Sequence, residues 1–467
     1  MKFEFERVSV SDVCELIVDC VNKTAPKVEH KTQFKMIRTP NIRNGVINLD
    51  GCNYVSEETY EKWTRRATVE KDDVLLTREA PMGEVGIIDF EDTVFLGQRI
   101  MQYRANKSKL CPKFLLYSFL SSDLKNQFYQ HEGSGSVVSH IRVPDCLKFE
   151  INLPPLKIQR KISSFLWGID QKIKNNNKMN QTLEQMAQAL FKSWFVNFDP
   201  VKTKIAVLEA GGSQEDAILA AMTVISGKEA DELVVFEREH PAQYAELKAT
   251  AELFPSAMQD SELGDIPEGW KPGCIGNISQ RIRTKVGSSS AVVLSAVASG
   301  ELVPSDEHFT KQVYSKSIEK YILVEQWSFA YNPSRINIGS IGLNVRSLNG
   351  AVSPVYVVFK TEPEYKWYVE ILTKTTYFKS NVNILASGSV RQSLSYDDLA
   401  SIPLCIPEVS IVNIFNEKYE EYLSLIEKYR NQNNTLVSIR DTLLPKLLSG
   451  EITLPEAEQA VSEVENV

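Results

Sequence analysis

Little in this sequence is suited to covalent catalysis. Its five histidines, His30, His131, His140, His240 and His308, are too few and too scattered to form a metal cluster. There is no G-x-x-x-x-G-K-[ST] to cradle a phosphate and no G-x-G-x-x-G after a strand. H-E-x-x-H and G-x-S-x-G are absent as well. What recurs instead is basic and amide side chains, in stretches free of acid. Residues 30–49 carry Lys35, Arg38 and Arg43, and residues 93–122 carry Arg99. Residues 269–300 carry Arg281, Arg283 and Lys285, and residues 326–361 carry Arg335 and Arg346. Two loops that begin Gly-Ser-Val add Ser136, Ser139, His140 and Arg142 in one half, and Ser389, Arg391 and Gln392 in the other. Arg78 lies near one G-x-x-G (Gly83/Gly86), and Arg335 and Asn337 lie near another (Gly339/Gly342). Side chains of these types grip phosphates and read base edges. These positions are the candidate contacts to a nucleic acid.

The elements that must carry those loops are written twice. "GSVVSHIRVPDCLKFEINLP" (Gly135–Pro154) and "GSVRQSLSYDDLASIPLCIP" (Gly388–Pro407) align without a gap at an offset of 253, with Asp145 and Asp398 in register. Leu147, Phe149, Ile151 and Leu153 alternate, as do Ile402, Leu404 and Ile406, which predicts a strand in each copy. After Pro154 the period becomes helical. Ile162, Leu166, Ile169, Ile173, Asn176, Asn180, Leu183, Ala187, Leu190 and Trp194 follow steps of four and three, the seam of a coiled coil. The same offset places Phe415, Tyr419, Tyr422, Ile426, Tyr429, Asn433, Leu436, Arg440, Leu443 and Leu447 in a second seam, with Ile439 available where Arg440 is charged. Asn180 and Asn433, if buried, would fix the register. Each helix should be on the order of 50 Å long. Two copies of one helix are expected to pack antiparallel about a pseudo-two-fold axis.

The G-x-x-G segments align at an offset of 256, and between these anchors the halves diverge. The expected fold is α+β: two globular domains joined by two long antiparallel helices in an internal repeat. Its parts are a globular domain (1–155), a long helix (156–200), an acidic helical connector (201–262), a second globular domain (263–407), a second long helix (408–450) and an acidic tail (451–467).

Charge is sorted along the chain. The net charge is -8, yet residues 207–268 hold 14 acidic and 3 basic side chains, and the tail from Glu451 has five acids and no base. The remainder is therefore positive. A phosphate backbone favours such a remainder, because basic side chains that displace condensed counterions supply most non-specific affinity. Seven scattered cysteines with no C-x-x-C suit reduced thiols in the cytoplasm. No apolar run reaches bilayer length. The opening "MKFEFERVSVSDV" reads as a strand rather than a signal peptide.

Three stretches resemble one family, the DNA-specificity (S) subunits of type I restriction–modification systems. "LPPLKIQRKISSFLWGIDQKIKNNNKMNQTLEQMAQALFKSWFVNFDPV" (Leu153–Val201) resembles its first conserved region. "DSELGDIPEGW" (Asp260–Trp270) is similar to the entry into its second half, and "LVSIRDTLLPKLLSGEI" (Leu436–Ile452) to its closing region. The chain departs from the family where Glu-Gln usually follows Pro-Pro-Leu. Here the pair is Ile158-Gln159, and the second copy, "IPEVSIVNIF", has no such pair.

The resemblance implies that each globular domain reads one half of a split site on double-stranded DNA, with the helices as spacer. Half-sites read from one face of B-DNA lie about 34 Å apart. It implies two modification (methyltransferase) subunits that carry S-adenosylmethionine. It also implies two restriction (motor-nuclease) subunits that use ATP and Mg2+. The S subunit itself would hold no cofactor and no catalytic residue. The alternative is a stand-alone DNA-binding protein with two reading heads. An exposed apolar face at Trp194, Phe195 and Phe198 would argue against that alternative.

Overall fold

The computed structural model describes residues 5–130, 140–309, 312, 314–387 and 393–465. The chain forms two compact units, Met1–Lys178 with Tyr429–Val467, and Met179–Lys428. Each unit holds one globular domain together with the adjoining stretches of both long helices.

In the first unit, β1 (Glu6–Ser9), β2 (Cys14–Asp19), β3 (Val74–Thr77), β4 (Val85–Ile87), β5 (Ile100–Ala105) and β6 (Glu150–Leu153) build the frame. Four of them form an antiparallel sheet in the order β2-β5-β3-β4, and β1 pairs with β6. In the second unit the corresponding strands are β7 (Lys271–Cys274), β8 (Ser279–Ile282), β9 (Ser328–Tyr331), β10 (Ile341–Leu343), β11 (Val357–Thr361) and β12 (Pro403–Ile406). The sheet runs β8-β11-β9-β10, and β7 pairs with β12. The duplication therefore persists in topology where the residues have diverged. β3 and β9 are buried at every position, so each reads as a short apolar run without alternation.

The predicted strand before the first helix is shorter than the alternation suggested. It starts at Glu150, and Asp145–Leu147 form a single 3-10 turn that leaves Leu147 exposed. Asp145 closes this turn by accepting from Arg142 and Lys148 at 2.9 and 3.1 Å. At the equivalent place Asp398 caps a short helix reciprocally with Ser395. The recurring Asp is thus structural in both copies.

The long helices run Leu156–Lys192 (37 residues) and Val409–Ser449 (41 residues). The first continues into one π-helical turn, Ser193–Asn197, which stops at Phe198 in the left-handed region. Gly450, with φ 75°, ends the second. Ile162, Leu166, Ile169, Asn176, Leu183 and Ala187 are buried on one helix, as are Phe415, Tyr419, Ile426, Asn433, Leu436, Leu443 and Leu447 on the other. In the first unit Asp170 meets Arg440 and Asn176 meets Asn433, so the pairing is antiparallel.

The domain cores extend into these helices. Ile162, Leu166, Leu443 and Leu447 belong to the same core as Phe114, Phe119 and Phe149. Each such side chain contributes about 1.5–3 kcal/mol on burial. In the second unit Phe191, Trp194, Phe195, Phe415 and Tyr419 share a core with Trp270 and Tyr368.

The connector is four helices, Asp199–Glu209, Gln214–Ser226, Ala230–Glu239 and Pro241–Leu253. The last three form a small core around Ala221, Met222, Leu233 and Ala251. Lys204 is buried and donates to the Phe254 carbonyl at 2.5 Å, tying the end of the connector to its first helix. Burial pushes its amine below the usual lysine value. The position related by the repeat, Ala457, is buried as well.

Candidate nucleic-acid interface

In both domains the segment that follows the Gly-Ser-Val stretch docks by an equivalent backbone bond. Ile141 N–H donates to the Arg78 carbonyl at 3.0 Å, and Leu394 N–H donates to the Pro333 carbonyl at 3.1 Å. The acceptors lie in the segment leading to each G-x-x-G. Those glycines are structural. Gly83 and Gly339 have φ of 84° and 94°. A Cβ on Gly86 would lie 2.6 Å from the Ile47 side chain, and one on Gly342 would lie 2.7 Å from the backbone of Glu301. The docking brings Ile141 and Leu394, which follow the two Gly-Ser-Val stretches, against the segments that carry Arg78 and Arg335. Ser136, Ser139, Ser389, Arg391 and Gln392 lie outside the described residues.

In the first domain the remaining candidates are linked through the main chain. Arg78 donates to the Ile141 carbonyl at 3.1 Å, and its own N–H bonds the Arg99 carbonyl. Arg99, at φ 72°, forms an ion pair with Glu79 at 3.1 Å. His140 is half-buried, and Arg142 is exposed and paired with Asp145. Arg43 is exposed and anchored on the carbonyls of Thr39 and Ile42. Thr39 in turn donates to the Ala80 carbonyl at 2.9 Å. Arg38 is half-buried and donates to the Gly51 carbonyl at 3.3 Å. Lys35 pairs with Asp92, whose hydrogen bond raises the lysine pKa. Arg38, Arg43, Arg78, Arg99, His140 and Arg142 thus occupy neighbouring segments, and Lys35, Arg99 and Arg142 are each held by a carboxylate.

In the second domain Arg281, Arg283 and Lys285 are exposed on and just after β8. Arg335 and Asn337 are exposed at a 3-10 turn, Ile336–Ile338, between β9 and β10. Arg346 faces Glu307 at 3.7 Å. Sequence reasoning missed Ile338, which is 59% exposed beside Asn337. Within an apolar-rich run it reads as a strand or core residue.

Other side chains join the helices to the domains. Gln159, 1% exposed, accepts from Cys111 N–H at 2.8 Å and donates to the carbonyls of Pro154 and Lys109 at 2.8 and 3.0 Å. Gln159, the half of the pair that this chain retains, therefore staples the helix to its own domain. In the second unit Val412 takes its place, and Asn416, one turn later, donates to the Glu364 carbonyl at 2.7 Å. Tyr117 donates to Asp170 at 2.6 Å, and Arg440 donates to the other oxygen at 2.8 Å. Arg440 therefore stays in the seam, compensated by Asp170, and Ile439 packs partly beside it. The second unit exchanges the roles, with Tyr419 donating to Glu370 at 2.7 Å. Burial and the adjacent carboxylate hold both tyrosine hydroxyls well above the usual range.

Two expectations about the seam need correction or sharpening. Trp194 and Phe195 form no exposed apolar face; they are 1% and 4% exposed within the second unit's core, and Phe198 packs against it. The amides are buried, and Asn176 bonds Gln432 and Asn433 at 2.9 and 2.8 Å. All seven cysteines are free and at least half-buried. Burial pushes the thiols of Cys14, Cys146 and Cys405 up to about 12. Among the described residues no helix is long and apolar enough to cross a membrane.

A model of the type I restriction modification DNA specificity domain matches residues 3–185. The type I restriction enzyme HindI specificity subunit of Haemophilus influenzae is 28% identical, over 83% of this chain and 88% of that one. The MjaIX specificity subunit of Methanocaldococcus jannaschii is 24% identical, over 83% and 79%. In fold, the chain resembles the S subunit of a type I restriction–modification system from M. genitalium, with a TM-score of 0.50 over 96% of both chains at 12% identity. Over most of its length the chain is thus similar in sequence to type I restriction enzyme specificity subunits.

Proposed function

We propose that the protein is the sequence-reading subunit of a type I restriction–modification complex. It binds double-stranded DNA at a bipartite site, one half per domain, and scaffolds two modification and two restriction subunits in the cytoplasm. It supplies no reacting group. S-adenosylmethionine, ATP and Mg2+ serve the partner subunits. The observation that carries this reading is repetition with divergence. The same sheet order and the same loop-docking bond occur twice, with different polar side chains on the two loops. A common frame with two different reading surfaces suits a target with two different halves.

The test is a methylome. The chain is expressed with the modification subunit of its own system in a host free of adenine methylation, and modified adenines are mapped by single-molecule sequencing. A split motif with a fixed gap is expected. Exchange of one globular domain should then change one half of the motif and leave the gap unaltered. A soluble complex that methylates nothing would favour the stand-alone DNA-binding protein. That reading gains from the burial of Trp194 and Phe195, which removes the apolar face expected to receive a partner.

A further inference from the structure

The turn between β9 and β10 presents three outward side chains on an unusually constrained backbone. Ile338 N–H bonds the Arg335 carbonyl at 3.1 Å, Gly339 N–H bonds the Ile336 carbonyl at 3.0 Å, and Ser340 N–H returns to Arg335 at 3.2 Å. Ile336 is buried beneath, 3% exposed. Ser340 is also buried and donates to the Ala296 carbonyl at 2.7 Å. A Cβ at Gly339 would come within 2.6 Å of the Ala298 carbonyl oxygen, so the turn already touches its neighbour. The Leu394–Pro333 bond holds it from the other side. Ile338 therefore has no route into the core. Being β-branched, it also has few rotamers to spread over.

A single exposed aliphatic side chain usually needs no explanation. Here its neighbours supply one. Arg335 and Asn337 are exposed and make no side-chain hydrogen bond or ion pair among the described residues. An asparagine amide matches the N6 and N7 edge of adenine, and an aliphatic side chain matches the C5-methyl of thymine; an A·T pair presents both in the major groove. We infer that Ile338 is a specificity-determining residue that packs on a thymine methyl group in the half-site read by the second domain, beside Asn337 on an adenine edge. This rests on the DNA-reading role proposed above and adds the base and the atom. The first domain does not repeat it. Met82, at the matching offset of 256, packs partly into that domain's core.

The test uses the full chain with its modification subunits and duplexes that carry the motif found by methylome mapping. Each thymine on either strand is replaced in turn by deoxyuridine, which removes only the methyl group. One replacement should weaken wild-type binding by about fourfold, the worth of one buried methyl. Ile338→Ala should bind the thymine duplex about that much more weakly and should lose nothing further with deoxyuridine. Its exposure makes the variant safe for folding, and circular dichroism confirms that. The inference is overturned if no deoxyuridine weakens binding, if Ile338→Ala keeps the full deoxyuridine penalty, or if the half-motif read by the second domain contains no A·T pair. Loss of all sequence-specific binding by the wild type would instead sink the DNA-reading role itself.

Discussion

Replacing Gln159 by Leu removes three hydrogen bonds at one buried point. The Cys111 N–H and the carbonyls of Lys109 and Pro154 would all lose their partner in a place where the side chain is only 1% exposed. At about 1 kcal/mol net per bond, with an added penalty for groups left unsatisfied, the cost is about 3–5 kcal/mol. That loss falls on the junction between the helix start and the first domain. Hydrogen exchange at the Cys111 amide should therefore accelerate by at least a hundredfold, since each 1.4 kcal/mol is a factor of ten. Asn416→Leu is the built-in comparison. It removes one bond, to Glu364, and also an amide oxygen that is buried without a partner. Its cost should be near or below 1 kcal/mol. Native-state exchange read by mass spectrometry on peptides spanning 109–116 and 362–370 measures both. Equal protection loss in the two variants, or none in Gln159→Leu, would refute the assignment of Gln159 as the staple.

Three further outcomes are expected. Burial opposes ionisation of Asp145, but hydrogen bonds from Lys148 and Arg142 outweigh it and hold the carboxyl below its usual value. Its contribution is therefore present at neutral pH and lost only as pH falls below the ordinary carboxylate value of about 3.9. Asp145→Asn should flatten the low-pH end of a urea-midpoint series and leave a neutral-pH offset. Trp194→Ala opens a large cavity beside Phe254, whose ring lies 5.1 Å away. It should cost about 3–5 kcal/mol, seen as lost protection in the second unit with the first unit's exchange retained. Arg283 is exposed. If it contacts phosphate, Arg283→Ala should lower the slope of log affinity against log salt by about 0.9 and leave the methylated motif unchanged.

The duplicated helices could be read from sequence because a seam is a local property. Apolar and amide residues at four-three spacing specify which face is buried wherever the partner lies, and Leu166, Asn176, Leu443 and Leu447 are buried as that spacing requires. The repeated strands Glu150–Leu153 and Pro403–Ile406 were legible too, since an ungapped offset implies equivalent places in two copies of one topology. Contacts between segments far apart in the chain were not. Trp194 and Phe195 look like a docking face in one dimension, and only the arrival of Trp270, Tyr368 and Phe415 turns them into core. Arg440 looks like a fault in the seam until Asp170 is found opposite. Ile338 looks like a core residue until the packing of Gly339 and Ile336 forces it outward. Periodicity records what one element prefers to bury. Which charge is compensated, which aromatic is covered and which loop side chain remains free depend on pairings that only the folded chain creates.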